Sequence, residues 1–151
     1  LVDDFAIYEP EHMIQAQFSI PYVLTMVLMG EPTGPNWFTE EMLRNKRVRQ
    51  LQHRITLEEE RLATKEFYTE RKVPGTVEIN TKDGRRYSRH VEYPKGEPEN
   101  PFTQKDHIDK LTNMALYLGM KQGQIDKLIE VLNRVEKLNT ILELTRLLVP
   151  Y

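Results

Sequence analysis

The segment that is most suited to binding or catalysis opens an apolar stretch and consists of Phe18, Ser19, Ile20, Pro21 and Tyr22. Ser19 is a typical helix N-cap, and proline is tolerated in the first turn, so a helix is predicted to begin at Ser19. A helix N-terminus presents free backbone N–H groups and a partial positive charge, which favour a carboxylate. Tyr22 would place a phenol within one turn of such a site.

A buried phenol needs a hydrogen-bond partner, and Tyr22 has two possible kinds. The partner is either a substrate carboxylate, with the phenol available for proton transfer, or a backbone carbonyl inside the core. From the residues alone, the core tyrosine is the preferred interpretation. The substrate-facing tyrosine is kept as the alternative.

Other residue patterns that carry chemistry are weak. The chain has no cysteine, which excludes disulfides, thiolate catalysis and cysteine-ligated metals. The four histidines lack metal-ligand spacing, and no phosphate-binding glycine loop is visible. A basic run over residues 44–54 is interpreted as a solvated helix face, with an anion or nucleic-acid patch as the alternative.

Charge and hydropathy limit the classes of partner. The 151 residues include 23 acidic and 21 basic side chains, a formal net charge of −2. This balance argues against a dedicated nucleic-acid or polybasic membrane binder. Residues 14–29 are the most apolar segment, but a membrane span needs roughly 20 apolar residues, so we expect a buried core helix. We expect no nucleic acid, no membrane and, by default, a cytoplasmic location.

In the first half of the chain, the spacing of apolar residues changes from a helical pattern to an alternating one. The helix from Ser19 is predicted to end at Gly30, and its segment 19–29 to be buried on nearly all faces. A second helix starts at Thr39 and supplies four core residues, Met42, Leu43, Val48 and Leu51. Alternation over residues 54–58 then predicts a strand, and the charged residues 59–73 predict a surface excursion.

The second half begins with a hairpin and ends in helices. Asp83-Gly84 predicts an antiparallel hairpin over residues 76–93. Its alternation predicts a core face made of Val77, Ile79, Tyr87 and Val91.

A proline-rich loop, residues 94–101, separates the hairpin from three predicted helices. Thr103 and Asp106 resemble a capping box, and Gly119 ends the helix that they open. Apolar spacing predicts a second helix over residues 125–135, and Asn139 is expected to cap a third. We therefore predict an α+β fold, a small antiparallel sheet with a hairpin and with helices packed on one face.

Three segments together resemble one protein family. The segments QAQFSIPY (15–22), KDGR (82–85) and PKGEPENP (94–101) occur in the order found in the C-terminal domain of the MmgE/PrpD family. The apolar helix over residues 125–138 is also similar to the family. The resemblance extends from Tyr8 to Leu148.

The resemblance implies an enzyme family of 2-methylcitrate dehydratases, cis-aconitate decarboxylases and iminodisuccinate epimerases. These enzymes act on small polycarboxylates by acid–base proton transfer next to a carboxylate, with no metal or organic cofactor. A hydro-lyase is the reaction that we expect. The family pairs a large all-helical domain with an α+β lid, usually in a homodimer, and the active site lies between the two domains.

Residues 1–151 would then form a single lid domain, a C-terminal fragment of a larger two-domain enzyme. The all-helical domain with its catalytic His, Asp and Lys, and an upstream lid segment with a further Lys and His, would lie outside this chain. The resemblance implies a catalytic role for Tyr22 and places Ser19 in substrate binding. The alternative is a stand-alone interaction module, or a split subunit, with the same fold and no catalysis of its own.

Overall fold

A computed structural model describes residues 3–148 and confirms the α+β class. The helices in this part of the chain are α1 (Met13–Gln17), α2 (Ile20–Leu28), α3 (Glu40–Arg44), α4 (Lys46–Gln52), α5 (Arg61–Glu70), α6 (Gln104–Tyr117), α7 (Gln122–Leu132) and α8 (Leu142–Leu148). The strands are β1 (Gly75–Asn80) and β2 (Arg86–Val91). Short 3-10 segments lie at Asp3–Phe5, Pro35–Phe38 and Val135–Lys137, and we call the second the Trp37 turn. None of the helices described is long and apolar enough to cross a bilayer.

The predicted start and end of α2 are confirmed. Ser19 is its N-cap, and the Ser19 hydroxyl accepts a hydrogen bond from the Tyr22 amide at 3.0 Å. Pro21 lies in the first turn, where its missing N–H costs nothing. Gly30 follows the helix with φ of 74°, a left-handed conformation that glycine adopts without strain.

The burial of α2 on nearly all faces was a wrong prediction. Its inward face carries Tyr22, Thr25 and Met26, all at 0 % exposure. On the outward face Ile20, Val27 and Leu28 are 40, 58 and 47 % exposed. The helix therefore turns a partly polar face to the core and an apolar face outward, because the rest of the described chain packs on one side of it only.

The helix predicted from Thr39 through Leu51 is two helices. Thr39 caps α3 as expected, with its hydroxyl accepting from the Met42 amide at 3.3 Å. The chain then turns at Asn45, whose side-chain oxygen accepts from the Arg47 and Val48 amides at 2.9 and 3.4 Å. An asparagine that bonds to the next backbone amides ends one helix and caps another.

One apolar cluster joins the N-terminal helices, and further buried residues lie on α6 and α7. The main cluster joins α1, α2, the Trp37 turn, α3 and α4 through Ala16, Tyr22, Met26, Trp37, Leu43 and Val48. Buried residues of α6 and α7 are Ala115, Ile125, Leu128 and Val131. The main cluster lies directly behind the Ser19–Tyr22 segment, so the core and the candidate site share residues.

Residues 54–58 do not form the predicted strand. The Ile55 amide bonds back to the Gln52 carbonyl at 3.0 Å, which closes a turn after α4, and the segment that follows lies outside the described sheet. Residues 59–73 lie on the surface as predicted, but they contain α5, which has no buried residue. The helix was missed because a charge-rich sequence of good helix formers gives no clear apolar stripe.

The hairpin and its turn are confirmed, but its core face is not. Ile79 pairs with Tyr87 and Val77 with Arg89, so the four predicted apolar residues share one face. All residues of both strands are nevertheless exposed, including Val77 at 43 % and Tyr87 at 50 %. The helices of the described chain leave this face uncovered. Gly84, with φ of 85°, supplies the left-handed residue of the connecting turn.

Side-chain contacts hold the proline-rich loop in place at both of its ends. Asn100 donates its side-chain amide to the Tyr93 carbonyl at 3.0 Å, and Lys95 pairs with Asp106 at 2.9 Å. A Cβ on Gly96 would meet the Phe102 ring at 2.8 Å, and φ there is 108°, so glycine is required. Lys95 thus stays about half exposed to water but is paired with a carboxylate of the helix that follows.

The helices after this loop start and end close to the predicted positions. The capping box is present, since Thr103 accepts from the Asp106 amide while Asp106 accepts from the Thr103 amide at 2.6 Å. Gly119 follows α6 with φ of 82°. Just before α8, the side chain that accepts a hydrogen bond from the Leu142 amide is Thr140, at 3.3 Å, and not the Asn139 side chain that the sequence predicts.

The Asp106 carboxylate should make stability depend on acid pH. The Thr103 hydroxyl, then Lys95 and the Thr103 amide, hold the pKa of Asp106 well below its usual range. A depressed folded-state pKa gives stability that is present above the unfolded pKa of about 3.9 and lost as the pH falls toward the folded value. Asp106→Asn should therefore lower Tm at neutral pH, and the gap from wild type should narrow below about pH 4.

Thermal melts at neutral and acid pH measure this gap. Asp126→Asn is the matched control, since it neutralises an exposed carboxylate that bonds Gln122 on α7, outside the cap. The control should give a small Tm change at every pH. A gap for Asp106→Asn that is the same at both pH values would contradict the assignment.

Candidate functional site

Ser19 and Tyr22 lie one turn apart at the start of α2, as the sequence predicts. Ser19 is 1 % exposed, and its hydroxyl donates to the Ile7 carbonyl at 2.5 Å while accepting from the Tyr22 amide. One serine therefore links the N-terminal segment to the first turn of α2. In the described chain, the Ser19 hydroxyl proton is donated to a backbone carbonyl.

The phenol of Tyr22 lies inside the core. Tyr22 is 0 % exposed, and its hydroxyl donates to the carbonyl of Trp37. Its ring stacks on Phe38, with centroids 6.2 Å apart and an interplanar angle of 28°. This geometry is that of the core tyrosine preferred from the residues alone. The catalytic role that the resemblance implies needs residues outside this chain and stays a prediction.

Burial controls the protonation of this phenol. Removal from water disfavours the phenolate and raises the pKa of Tyr22 to about 12. The hydroxyl therefore stays protonated throughout the neutral range and acts as a hydrogen-bond donor. It cannot serve as a base in this environment.

The N-terminus of α2 offers fewer free donors than its position suggests. Pro21 has no N–H, the Tyr22 amide bonds to Ser19, and the Val23 amide bonds to the Ser19 carbonyl at 3.0 Å. Among the described residues, only the Ile20 amide of the first turn is left without an acceptor. The helix dipole still favours an anion at this position, but few backbone N–H groups are free to donate a hydrogen bond to that anion.

A groove of about 290 Å³ runs along the other side of this segment. Its lining is largely apolar and contains no charged side chain: Phe5, Gln17, Phe18, Ser19, Ile20, Val23 and Leu24. A polycarboxylate carries several negative charges and needs cationic or multiple N–H partners to leave water. The groove provides neither, so the described residues do not form a complete polycarboxylate site.

Three of the four histidines, His53, His90 and His107, have local partners of their own. His53 bonds Glu9 at 3.1 Å and stacks on Tyr8, and His90 bonds Thr76 at 2.9 Å. His107 packs edge-on against Phe102. Within residues 3–148, no three His, Asp or Glu side chains come together in a way that could hold a metal ion.

The basic run over residues 44–54 is partly neutralised by its surroundings. Arg44 pairs with Glu40 at 2.8 Å, and Arg49 donates to the Leu43 carbonyl at 3.3 Å. These contacts agree with the interpretation of this run as an ordinary helix surface. They give no support to an anion site there.

The Trp37 turn is a part of the site that the sequence analysis missed. The turn contributes a backbone carbonyl that accepts from Tyr22, and no pattern of side chains in a sequence predicts such a contact. The available signal was the single tryptophan of the chain, placed directly after Gly34, Pro35 and Asn36. A large aromatic residue in a turn-rich segment indicates that the turn packs inward.

The family model for the MmgE/PrpD C-terminal domain matches residues 2–134. The chain belongs to this family. The match includes α1 to α7 and both strands, and α8 lies beyond it. No curated protein matches the chain significantly.

The bond from Tyr22 to Trp37 predicts a stability effect. Tyr22→Phe removes only the phenol oxygen and leaves the buried Trp37 carbonyl without its donor, which costs about 1–2 kcal/mol. Urea unfolding should show a lower midpoint with an unchanged slope. Tyr87→Phe, on the exposed hairpin, is the matched control and should leave the midpoint in place. Equal midpoints for all three proteins would mean that the bond contributes no net stability.

Proposed function

We propose that this chain is the lid domain of a cofactor-independent polycarboxylate lyase of the 2-methylcitrate dehydratase type. The observation that carries the proposal is the family match over residues 2–134, which contains the Ser19–Tyr22 segment at the start of α2. The substrate class and the elimination come from the family resemblance. The cytoplasmic location and a homodimer of the intact enzyme belong to the same proposal.

The reaction that we propose is an acid–base elimination. A base removes a proton from the carbon next to a carboxylate, the electron pair forms a carbon–carbon double bond, and an acid protonates the departing hydroxyl as water. The base and acid are assigned to an all-helical domain and an upstream lid segment outside this chain. The lid contributes the surface that closes over the substrate.

The role that we propose for Tyr22 and Ser19 is positioning. Each hydroxyl donates to a backbone carbonyl, Tyr22 to Trp37 and Ser19 to Ile7. The two bonds fix the first turn of α2 between the N-terminal segment and the Trp37 turn. A turn held in this way presents the Ile20 amide and the helix dipole to a substrate carboxylate in a fixed orientation. Neither hydroxyl needs to touch the substrate.

A second function, an interaction module without catalysis, is favoured by one observation. The groove beside Ser19 is largely apolar and uncharged, and α2 exposes apolar side chains next to it. Such a surface fits another protein better than a polycarboxylate. Assays of polycarboxylate turnover distinguish the lyase from the interaction module.

The 151-residue chain should show no dehydratase activity by itself, because the proposed acid and base lie outside it. Expressed together with the coding sequence that adjoins its 5′ end, it should convert 2-methylcitrate or a related polycarboxylate. Absorbance of the new double bond follows the reaction. Activity should survive treatment with a chelator.

Two outcomes contradict the proposal. Turnover by the purified chain alone would show that the acid and base lie within it. No turnover of any polycarboxylate by the extended protein would favour the interaction module instead.

The positioning role of Tyr22 predicts a particular kinetic pattern. In the extended protein, Tyr22→Phe should raise KM while changing kcat little, because a displaced helix start weakens substrate binding. A direct proton donor would instead lower kcat by about 10²–10⁴-fold. Both constants are compared with those of Tyr87→Phe, at a temperature where every protein is folded. A kcat loss of that size would overturn positioning and establish Tyr22 as a catalytic residue.

A further inference from the structure

A hydrogen-bonded chain of three side chains lies on the polar face of the hairpin. Thr76 of β1 pairs with His90 of β2 in the ladder, and the Thr76 hydroxyl oxygen lies 2.9 Å from the Nδ1 of His90. The same oxygen lies 3.3 Å from a carboxylate oxygen of Glu60, the residue that precedes α5. Three elements of the fold meet at one hydroxyl group, and we call these residues the Glu60–Thr76–His90 relay.

The number of protons available decides the direction of both hydrogen bonds. An ionised carboxylate only accepts, so the single hydroxyl proton of Thr76 is donated to Glu60. The Thr76 oxygen then accepts from His90, which requires a proton on Nδ1. In the reverse direction, the oxygens of Thr76 and Glu60 would face each other at 3.3 Å with no proton between them. The relay therefore keeps the neutral His90 ring in its Nδ1–H form.

The other ring nitrogen of His90 stays open. In the Nδ1–H form, Nε2 carries a lone pair and no proton. His90 lies on an exposed strand, and within residues 3–148 no hydrogen bond or ion pair engages its Nε2. Farther along the same face, Arg86 is already paired with both carboxylate oxygens of Glu78 at 2.6 Å. The hairpin thus presents an accessible, unprotonated imidazole nitrogen to the solvent.

The relay makes this nitrogen a better nucleophile. A histidine that donates its Nδ1–H to an acceptor gains electron density at Nε2, and its ring is held in one orientation. A nucleophile oriented by a second group, which is itself oriented by a third, is the usual arrangement in nucleophilic catalysis. In the relay, Thr76 holds the ring of His90, and Glu60 holds Thr76.

We propose that His90 is a nucleophile that accepts the acyl group of an activated acyl donor. The Nε2 lone pair forms a bond to the acyl carbon, and the bond from that carbon to the leaving group breaks with its electron pair. The Nδ1 proton passes to Thr76 while the Thr76 proton passes to Glu60, which leaves a neutral acyl-imidazole. When water later attacks the acyl carbon, the bond to Nε2 breaks and the relay returns the proton to Nδ1.

The same proton count limits the chemical class of the donor. The relay takes up a proton during acylation and offers no acid to the leaving group. The leaving group must therefore depart as a stable anion, as it does from an anhydride or an aryl ester. Amides and simple alkyl esters, which need a protonated leaving group, are not expected to react.

The other histidines provide internal references for the reactivity of His90. His12 is exposed, and its side chain caps no helix. The Nε2 of His53 already lies 3.1 Å from Glu9, and the ring of His107 packs against Phe102. We expect His90 to be acylated about fivefold faster than His12, the factor that one hydrogen bond contributes to an equilibrium.

The experiment treats the 151-residue chain briefly with diethyl pyrocarbonate, an anhydride, at a pH where all four imidazoles are neutral. Mass spectrometry of the peptides gives the acylation rate of each histidine. Thr76→Val keeps the shape of the side chain but removes the hydroxyl, so it should slow acylation of His90 about fivefold and leave His12 unchanged. Thr76→Ser keeps the hydroxyl and should retain the wild-type rate. Thr56→Val, which removes an exposed hydroxyl outside the relay, is the matched control.

Nitrogen-15 NMR at the same pH reports which ring nitrogen of His90 carries the proton. The proton should lie on Nδ1 in the wild-type chain and shift toward Nε2 in Thr76→Val. Three results would overturn the proposal: His90 acylated no faster than His12, equal His90 rates in Thr76→Val and Thr56→Val, or a wild-type proton on Nε2. Acylation is measured on the chain alone, so the outcome is independent of the proposed lyase function.

Discussion

The hydrogen bond from the Tyr22 phenol to the Trp37 carbonyl is the interaction on which the rest of the main core depends. It satisfies the one polar group that the Tyr22 side chain carries into the interior, and a bond to the Ile7 carbonyl does the same for Ser19. The buried Thr25 hydroxyl on the same face has no hydrogen-bond partner in the described chain. The bond also draws the Trp37 turn onto α2, and Phe38 stacks on the same ring. Helices α3 and α4 then pack behind this turn, so one buried polar contact organises elements that are well separated in sequence.

The same bond limits what the site can do. A phenol that is buried and bonded to a carbonyl stays protonated and has no proton to offer a substrate without breaking its contact. Ser19 is under a similar constraint, because Ile7 accepts its proton. Both hydroxyls therefore hold the first turn of α2 in place through their bonds to backbone carbonyls.

Local signals in the sequence predicted the capped and glycine-ended helix termini well, and they predicted burial poorly. Caps such as Ser19, Thr39 and Thr103 act through bonds to backbone amides three residues away. Glycines such as Gly30 and Gly119 end helices through their own backbone conformation. Both kinds of signal can therefore be recognised from a few neighbouring residues. The core face of the hairpin could not be predicted in this way. Alternation shows which residues share a face, but whether anything covers that face depends on distant parts of the polypeptide. The Trp37 carbonyl was missed for a related reason, since any residue type supplies a carbonyl.

The uncovered faces differ in the partner that each admits. The apolar face of the hairpin includes Arg89 opposite Val77, and the described residues provide no carboxylate for it. A partner that covers the hairpin face has to leave the Arg89 guanidinium in water or supply it with an acceptor, because a buried unpaired charge is strongly destabilising. The α2 face has no charged residue between Met13 and Gly30, so a partner that covers it meets no such requirement. The two exposed faces therefore differ in the partner that each tolerates.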